Sequence, residues 1–136
     1  MTESKIKAAL DFPPERVWEV VTDLKHYAWR SDLSRIEIQD DGKSFVEYTA
    51  DGYATNFHIT SFKPPNRYEF DMDNENITGH WTGIFTRTED GVILEFREYI
   101  EVKKWIMKPF AKLYLHMQQK RYMADLKKEL ERSGRT

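Results

Sequence analysis

Near its start the chain changes period abruptly, and few folds accommodate the change. Ile6, Ala8, Leu10 and Phe12 alternate with Lys5, Lys7 and Asp11, the two-residue repeat of a half-buried strand over about residues 3–12. Pro13 and Pro14 then stop the ladder, because neither carries an N–H to extend it. Pro14 also suits a first helical turn, where its missing donor would have had no intrahelical acceptor. Val17, Trp18, Val20 and Val21 place an apolar face on a short helix ending near Asp23, and a second short helical turn is expected over Leu24 to Trp29. A helix that leaves its strand so directly must pack against one end of the sheet to which the strand belongs.

From Leu33 onward the pattern is strands and tight turns, punctuated by Asp41-Gly42, Asp51-Gly52, Pro64-Pro65-Asn66, Asp73-Asn74-Glu75-Asn76 and Asp90-Gly91. Six strands are predicted near residues 34–40, 43–50, 53–62, 67–73, 77–88 and 91–102. Hairpin-sized connections make them antiparallel, and the first strand closing one edge makes seven. The last third reads as one helix with Pro109 in its first turn; about 25 residues span roughly 37 Å. Its inward stripe is expected to run through Phe110, Leu113, Met117 and Ala124, flanked by Tyr114, Met123, Leu126 and Leu130. Lys127, Lys128 and Arg132 sit near its end, where positive charge favours the helix dipole. The fold class is therefore α+β, a seven-stranded curved sheet wrapped around a long C-terminal helix.

Twisted strands curl, and one helix in the concave face cannot touch all of it, so a cavity is expected between them. Alternation assigns its rows: Tyr68, Phe70 and Met72; Trp81 and Phe85 with Gly79 and Gly83; Leu94, Phe96, Glu98 and Ile100. The expected ligand-binding set is Tyr68, Phe70, Trp81, Phe85, Phe96 and Glu98 from the sheet, with Phe110, Leu113, Tyr114 and Met117 from the helix. The two glycines read first as a place for the sheet to bend, and second as space for a ligand.

Glu98 interrupts an apolar row. Facing the cavity, it would titrate high through desolvation and could bind an amine or hydroxyl, or move a proton. The plainer reading is a solvated carboxylate, or one paired with a helix residue such as Arg121. The strand over 53–62 has apolar residues on both parities; Phe57 and Ile59 inward is the preferred choice. The opposite choice would set His58 beside Glu98 as an acid/base pair.

Other chemistries find little support. One chain of 136 residues is expected to form one domain, burying roughly 65–70% of its unfolded surface. A net charge of −2 with both signs interspersed gives no field for nucleic acid. Cysteine is absent, which removes disulfides, thiolate metal sites and cysteine nucleophiles. The four histidines show no metal-ligand spacing, and Asp71, Asp73 and Glu75 lack the Gly and distal Glu of a calcium loop, so no metal is expected. No Gly-x-Ser-x-Gly or phosphate-cradling glycine loop occurs, and no cofactor is expected. The start lacks a signal-like apolar core and no window reaches 18 apolar residues, so a cytoplasmic protein without membrane spans is expected. Residues 102–112 mix lysines with large apolar groups, as interfacial membrane helices do. The expectation is nevertheless that this stretch contacts the sheet rim, with transient membrane docking as the alternative.

Pro13-Pro14-Glu15-Arg16-Val17-Trp18 with Asp23 and Trp29, the turn Phe62-Lys63-Pro64-Pro65-Asn66-Arg67-Tyr68, and the closing Leu126-Lys127-Lys128-Glu129-Leu130-Glu131 resemble the polyketide cyclase/dehydrase-like branch of the START/Bet v 1-like (SRPBCC) superfamily. The resemblance covers nearly the whole chain and implies a helix-grip fold that binds lipids, sterols, polyketides or quinones, with some members acting as cyclases or dehydratases. It implies no shared catalytic set. The favoured expectation is a carrier of a small hydrophobic molecule, as a monomer or homodimer. The alternatives are a cyclase or dehydratase using Glu98, and a module for a protein partner.

Overall fold

Strand follows strand through most of the chain because each apolar-polar alternation is cut by a turn before it can drift out of register. In the computed structural model, which describes residues 2–133, the elements are β1 (Thr2–Leu10), α1 (Pro14–Thr22), β2 (Arg35–Gln39), β3 (Ser44–Tyr48), β4 (Ala54–Lys63), β5 (Arg67–Asp73), β6 (Ile77–Arg87), β7 (Val92–Val102) and α2 (Lys108–Ser133). Short 3-10 turns precede β3 at Asp40–Gly42 and α2 at Trp105–Met107. The seven strands form one antiparallel sheet in the order β1-β7-β6-β5-β4-β3-β2. As the sequence predicts, β1 closes an edge, pairing with β7 from Thr2 opposite Ile100 to Leu10 opposite Val92.

The second short helix expected before β2 does not form. Residues 23–34 are turns, organised by Asp23, whose carboxylate accepts the backbone N–H of Lys25 and of His26. Such a side chain offers the backbone an alternative to helical bonding.

At one end α1 plugs the sheet. Trp18 packs edge-on against Phe62, Tyr68 and Phe85, with ring centroids 5.3, 5.9 and 5.1 Å away. Leu126 and Leu130 of α2 are fully buried in the same cluster. Phe62 reaches Trp18 because β4 carries a bulge: Ile59 pairs with Phe70 and Ser61 with Glu69, leaving Thr60 unpaired. Before the bulge Phe57 and Ile59 are the more buried residues, and after it Phe62 joins the same side, which is why both parities of this strand look apolar.

The helix stripe requires a correction. Ala111, Leu115, Gln119, Met123, Leu126 and Leu130 face inward, whereas Phe110, Leu113 and Met117 are 69%, 63% and 61% exposed. The first half of α2 is apolar on two faces, so periodicity alone could not choose between them. Gln119 decides the phase by bonding: its Nε2 donates to the Ser4 carbonyl (2.9 Å) and its Oε1 accepts the Ser4 hydroxyl (2.7 Å). These bonds tie α2 to the edge strand. The 3-10 turn before it likewise points away from the sheet rim, with Trp105 81% exposed.

Candidate functional site

The concave face of the sheet is an aromatic pavement. Phe45 stacks on Phe57 (4.8 Å), Phe70 stacks on Trp81 (4.9 Å), and Trp81 tilts onto Phe96 (4.9 Å), so adjoining strands β3 to β7 each contribute a ring. Gly83 permits this. A Cβ there would lie 2.5 Å from the Trp81 indole, which folds across the bare backbone. Gly79 is equally filled, since a Cβ would meet the Tyr99 carbonyl at 2.4 Å. Neither glycine opens space for a ligand; close packing claims both.

Between this pavement and α2 lies a cavity of about 230 Å³. Of the ten residues that the sequence suggests for ligand binding, Tyr68, Phe70, Trp81, Phe96, Glu98 and Tyr114 line it. Phe85 does not; it is buried in the plug against Trp18. Phe110, Leu113 and Met117 lie off the cavity on the outer side of α2, and Leu115, Gln118, Gln119 and Tyr122 take the places assigned to them.

A cluster of charges sits among the rings. Arg30, from the turn segment, donates from Nη1 and Nη2 to the Glu47 carboxylate (2.8 and 3.1 Å) and from Nε and Nη2 to the Asp32 carboxylate (3.1 and 2.8 Å). Its guanidinium also lies 5.1 Å from the centre of the Tyr122 ring. Burial works against its charge, and the Glu47 and Asp32 carboxylates more than reverse that, so Arg30 stays protonated. Two bidentate pairs leave this cation almost no free donor.

Glu98 stands opposite Trp81 in an unbroken register, so no bulge turns it outward. The surface it keeps opens on the cavity, and no described side chain hydrogen-bonds its carboxyl. Burial pushes it up to about 7; the nearby negative charge of Glu47 adds to the rise and Arg30 opposes it. The expected partner Arg121 is elsewhere, donating to the Ser31 hydroxyl (2.8 Å) and carbonyl (2.6 Å). His58 is exposed on the outer face beside Ser44, so no histidine pairs with Glu98. Burial likewise raises the Tyr68 and Tyr122 phenols, keeping both neutral.

Sequence reasoning missed Arg30, Asp32, Glu47 and Tyr122. Glu47 carried the signal that exposed Glu98, a carboxylate on the inward parity of its strand beside Phe45. Arg30 carried none, because its partners are fixed by an irregular segment.

This frame has relatives. The family model described as "Polyketide cyclase / dehydrase and lipid transport" matches residues 1–131. The chain belongs to that family. Among solved structures, a START superfamily protein from Mycobacterium smegmatis shares the fold at a TM-score of 0.83 and 11% identity, covering 96% of this chain and 97% of that one. Protein MLL2253 from Mesorhizobium loti superposes at 0.78 and 16% identity, with 96% and 97% covered. DynU16, from the dynemicin biosynthetic locus, superposes at 0.75 and 16% identity over 96% of this chain and 48% of its own length. No curated protein matches the sequence. At these identities the structures share the family's helix-grip fold and nothing finer. No described helix is long and apolar enough to cross a membrane.

Proposed function

We propose that this member of the polyketide cyclase/dehydrase and lipid transport family binds and carries a small apolar molecule whose polar end is neutral or cationic. The observation that carries the reading is the charge inside the cavity. Among the described lining residues Arg30 is the one cation, against Asp23, Asp32, Glu47 and Glu98. An arginine in an apolar pocket ordinarily attracts a carboxylate, but this one is already held on two sides by carboxylates. The aromatic pavement supplies affinity at about 25 cal/mol per Å² of ligand surface buried. Glu98, which no described side chain hydrogen-bonds, orients the polar end, as an acceptor when ionised and as a donor when protonated.

A second reading is proton-transfer catalysis of cyclase or dehydratase type, favoured by a carboxyl that titrates near neutrality inside a cavity. It ranks behind carriage because, among the described residues, no second titratable group hydrogen-bonds Glu98.

The test is displacement of the neutral apolar dye Nile red by three amphiphiles of one chain length: dodecylamine, dodecanol and dodecanoate. The amine and the alcohol are expected to displace dye at least tenfold more readily than the carboxylate, and Glu98→Gln to cut the advantage of the amine. Dodecanoate competing as well as dodecylamine would overturn the charge assignment. Failure of the protein to take up dye or any of the three would overturn carriage itself.

A further inference from the structure

The outer face of the first half of α2, with the turn before it, is built unlike the rest of the surface. Trp105, Ile106, Phe110, Leu113 and Met117 are 81%, 65%, 69%, 63% and 61% exposed, large apolar groups gathered within thirteen consecutive residues. Soluble surfaces seldom gather so much apolar area without a use for it. Lysines accompany them: Lys104, Lys108 and Lys112 are exposed between the apolar groups. Residues 102–124 hold six of the 21 Lys and Arg of the chain and none of its 23 Asp and Glu. The remainder of this protein is strongly acidic, so the basic charge here is a local feature.

We propose that this face docks the protein on an anionic lipid bilayer. Apolar side chains from a helix lying flat enter the headgroup boundary, while lysines beside them meet lipid phosphates. The charge pattern selects this occupant over a second copy of the chain. A two-fold dimer would set the patch against itself and bring the lysines of both copies together. A bilayer presents apolar depth and negative charge in the same place. The same helical turns line the cavity through Tyr114, Leu115 and Gln118, so docking would bring the cavity wall to the membrane. The inference does not depend on what the cavity holds.

The experiment is cosedimentation with phosphatidylcholine vesicles, with and without phosphatidylglycerol. Binding is expected to the anionic vesicles, at least tenfold weaker to phosphatidylcholine alone, and lost at about 0.5 M salt, where screening shortens to a few ångströms. Trp18 and Trp81 are buried and Trp29 is half-buried, so Trp105 should supply the blue shift on binding and Trp105→Phe should remove it. Trp105→Ser with Phe110→Ser should weaken binding at least tenfold without changing the thermal midpoint, since both side chains are exposed. Lys104→Glu with Lys108→Glu should erase the preference for anionic lipid. Equal binding to both vesicle types, or full binding by the serine variant, would overturn the proposal. So would a dimer that the serine variant dissolves in a protein that ignores vesicles; that result assigns the face to a second copy.

Discussion

At Glu98 the two protonation states differ in how well they suit the fold, because the neutral carboxyl loses far less hydration energy in the cavity wall than the carboxylate does. Its folded-state value of about 7 lies above the ordinary 4.5. Between these values the folded protein keeps a proton that the unfolded chain has released. The contribution of Glu98 to stability is therefore full below about pH 4.5, falls as pH rises toward 7, and levels off above, a loss of about 3 kcal/mol from this group alone. Glu98→Gln should remove this decline, matching the parent near about pH 4 and exceeding it by up to that amount at about pH 8. Urea unfolding of both proteins at paired pH values checks the difference; parallel curves at every pH would mean that water reaches the carboxylate freely. Arg30 poses the opposite case. Arg30→Met would leave Asp32 and Glu47 as half-buried carboxylates without their cation, and a loss of about 1–3 kcal/mol is expected in the same assay. Double replacement with Glu47→Gln should recover part of it.

Among the elements, the strands were legible because turns and alternation are local; all seven lie within about two residues of where the sequence places them. The bulge at Thr60 was not, since an extra residue is visible only once a partner strand is present to count against. The phase of α2 failed for a related reason. Phe110, Leu113 and Met117 form as good an apolar stripe as Ala111 and Leu115 do, and the polar Gln119 on the inward line made that line look wrong. The edge strand supplies what makes a buried glutamine acceptable. Gln119→Leu keeps the volume nearly constant but strands the Ser4 hydroxyl and its carbonyl, and should cost about 1–3 kcal/mol, read as a lowered urea midpoint with unchanged slope. Adding Ser4→Ala should recover part of that loss, because the hydroxyl left without a partner goes with it.

For the whole molecule, the cavity follows from how unevenly α2 is held. Its second half is fixed by Met123, Leu126 and Leu130 in the main core, while its first half rests on the sheet through Ala111 and Leu115 against Ile100. The helix thus spans the sheet without closing on it, and the space beneath Leu115 is what a ligand would fill. This trades stability for room, since packed interiors leave few voids of that size. Leu115→Phe should reclaim part of the space. A gain of about 0.5–2 kcal/mol in unfolding free energy is expected, as cavity-filling changes commonly give, together with at least tenfold weaker uptake of Nile red. Vesicle binding should be unaffected, because Leu115 faces inward while Trp105 and Phe110 face out. If stability instead falls while dye uptake is unchanged, the added ring has strained a filled site, and the ligand space must lie away from α2. The two faces of one helix would then have separate fates, the inner for closing the core and the outer for the membrane.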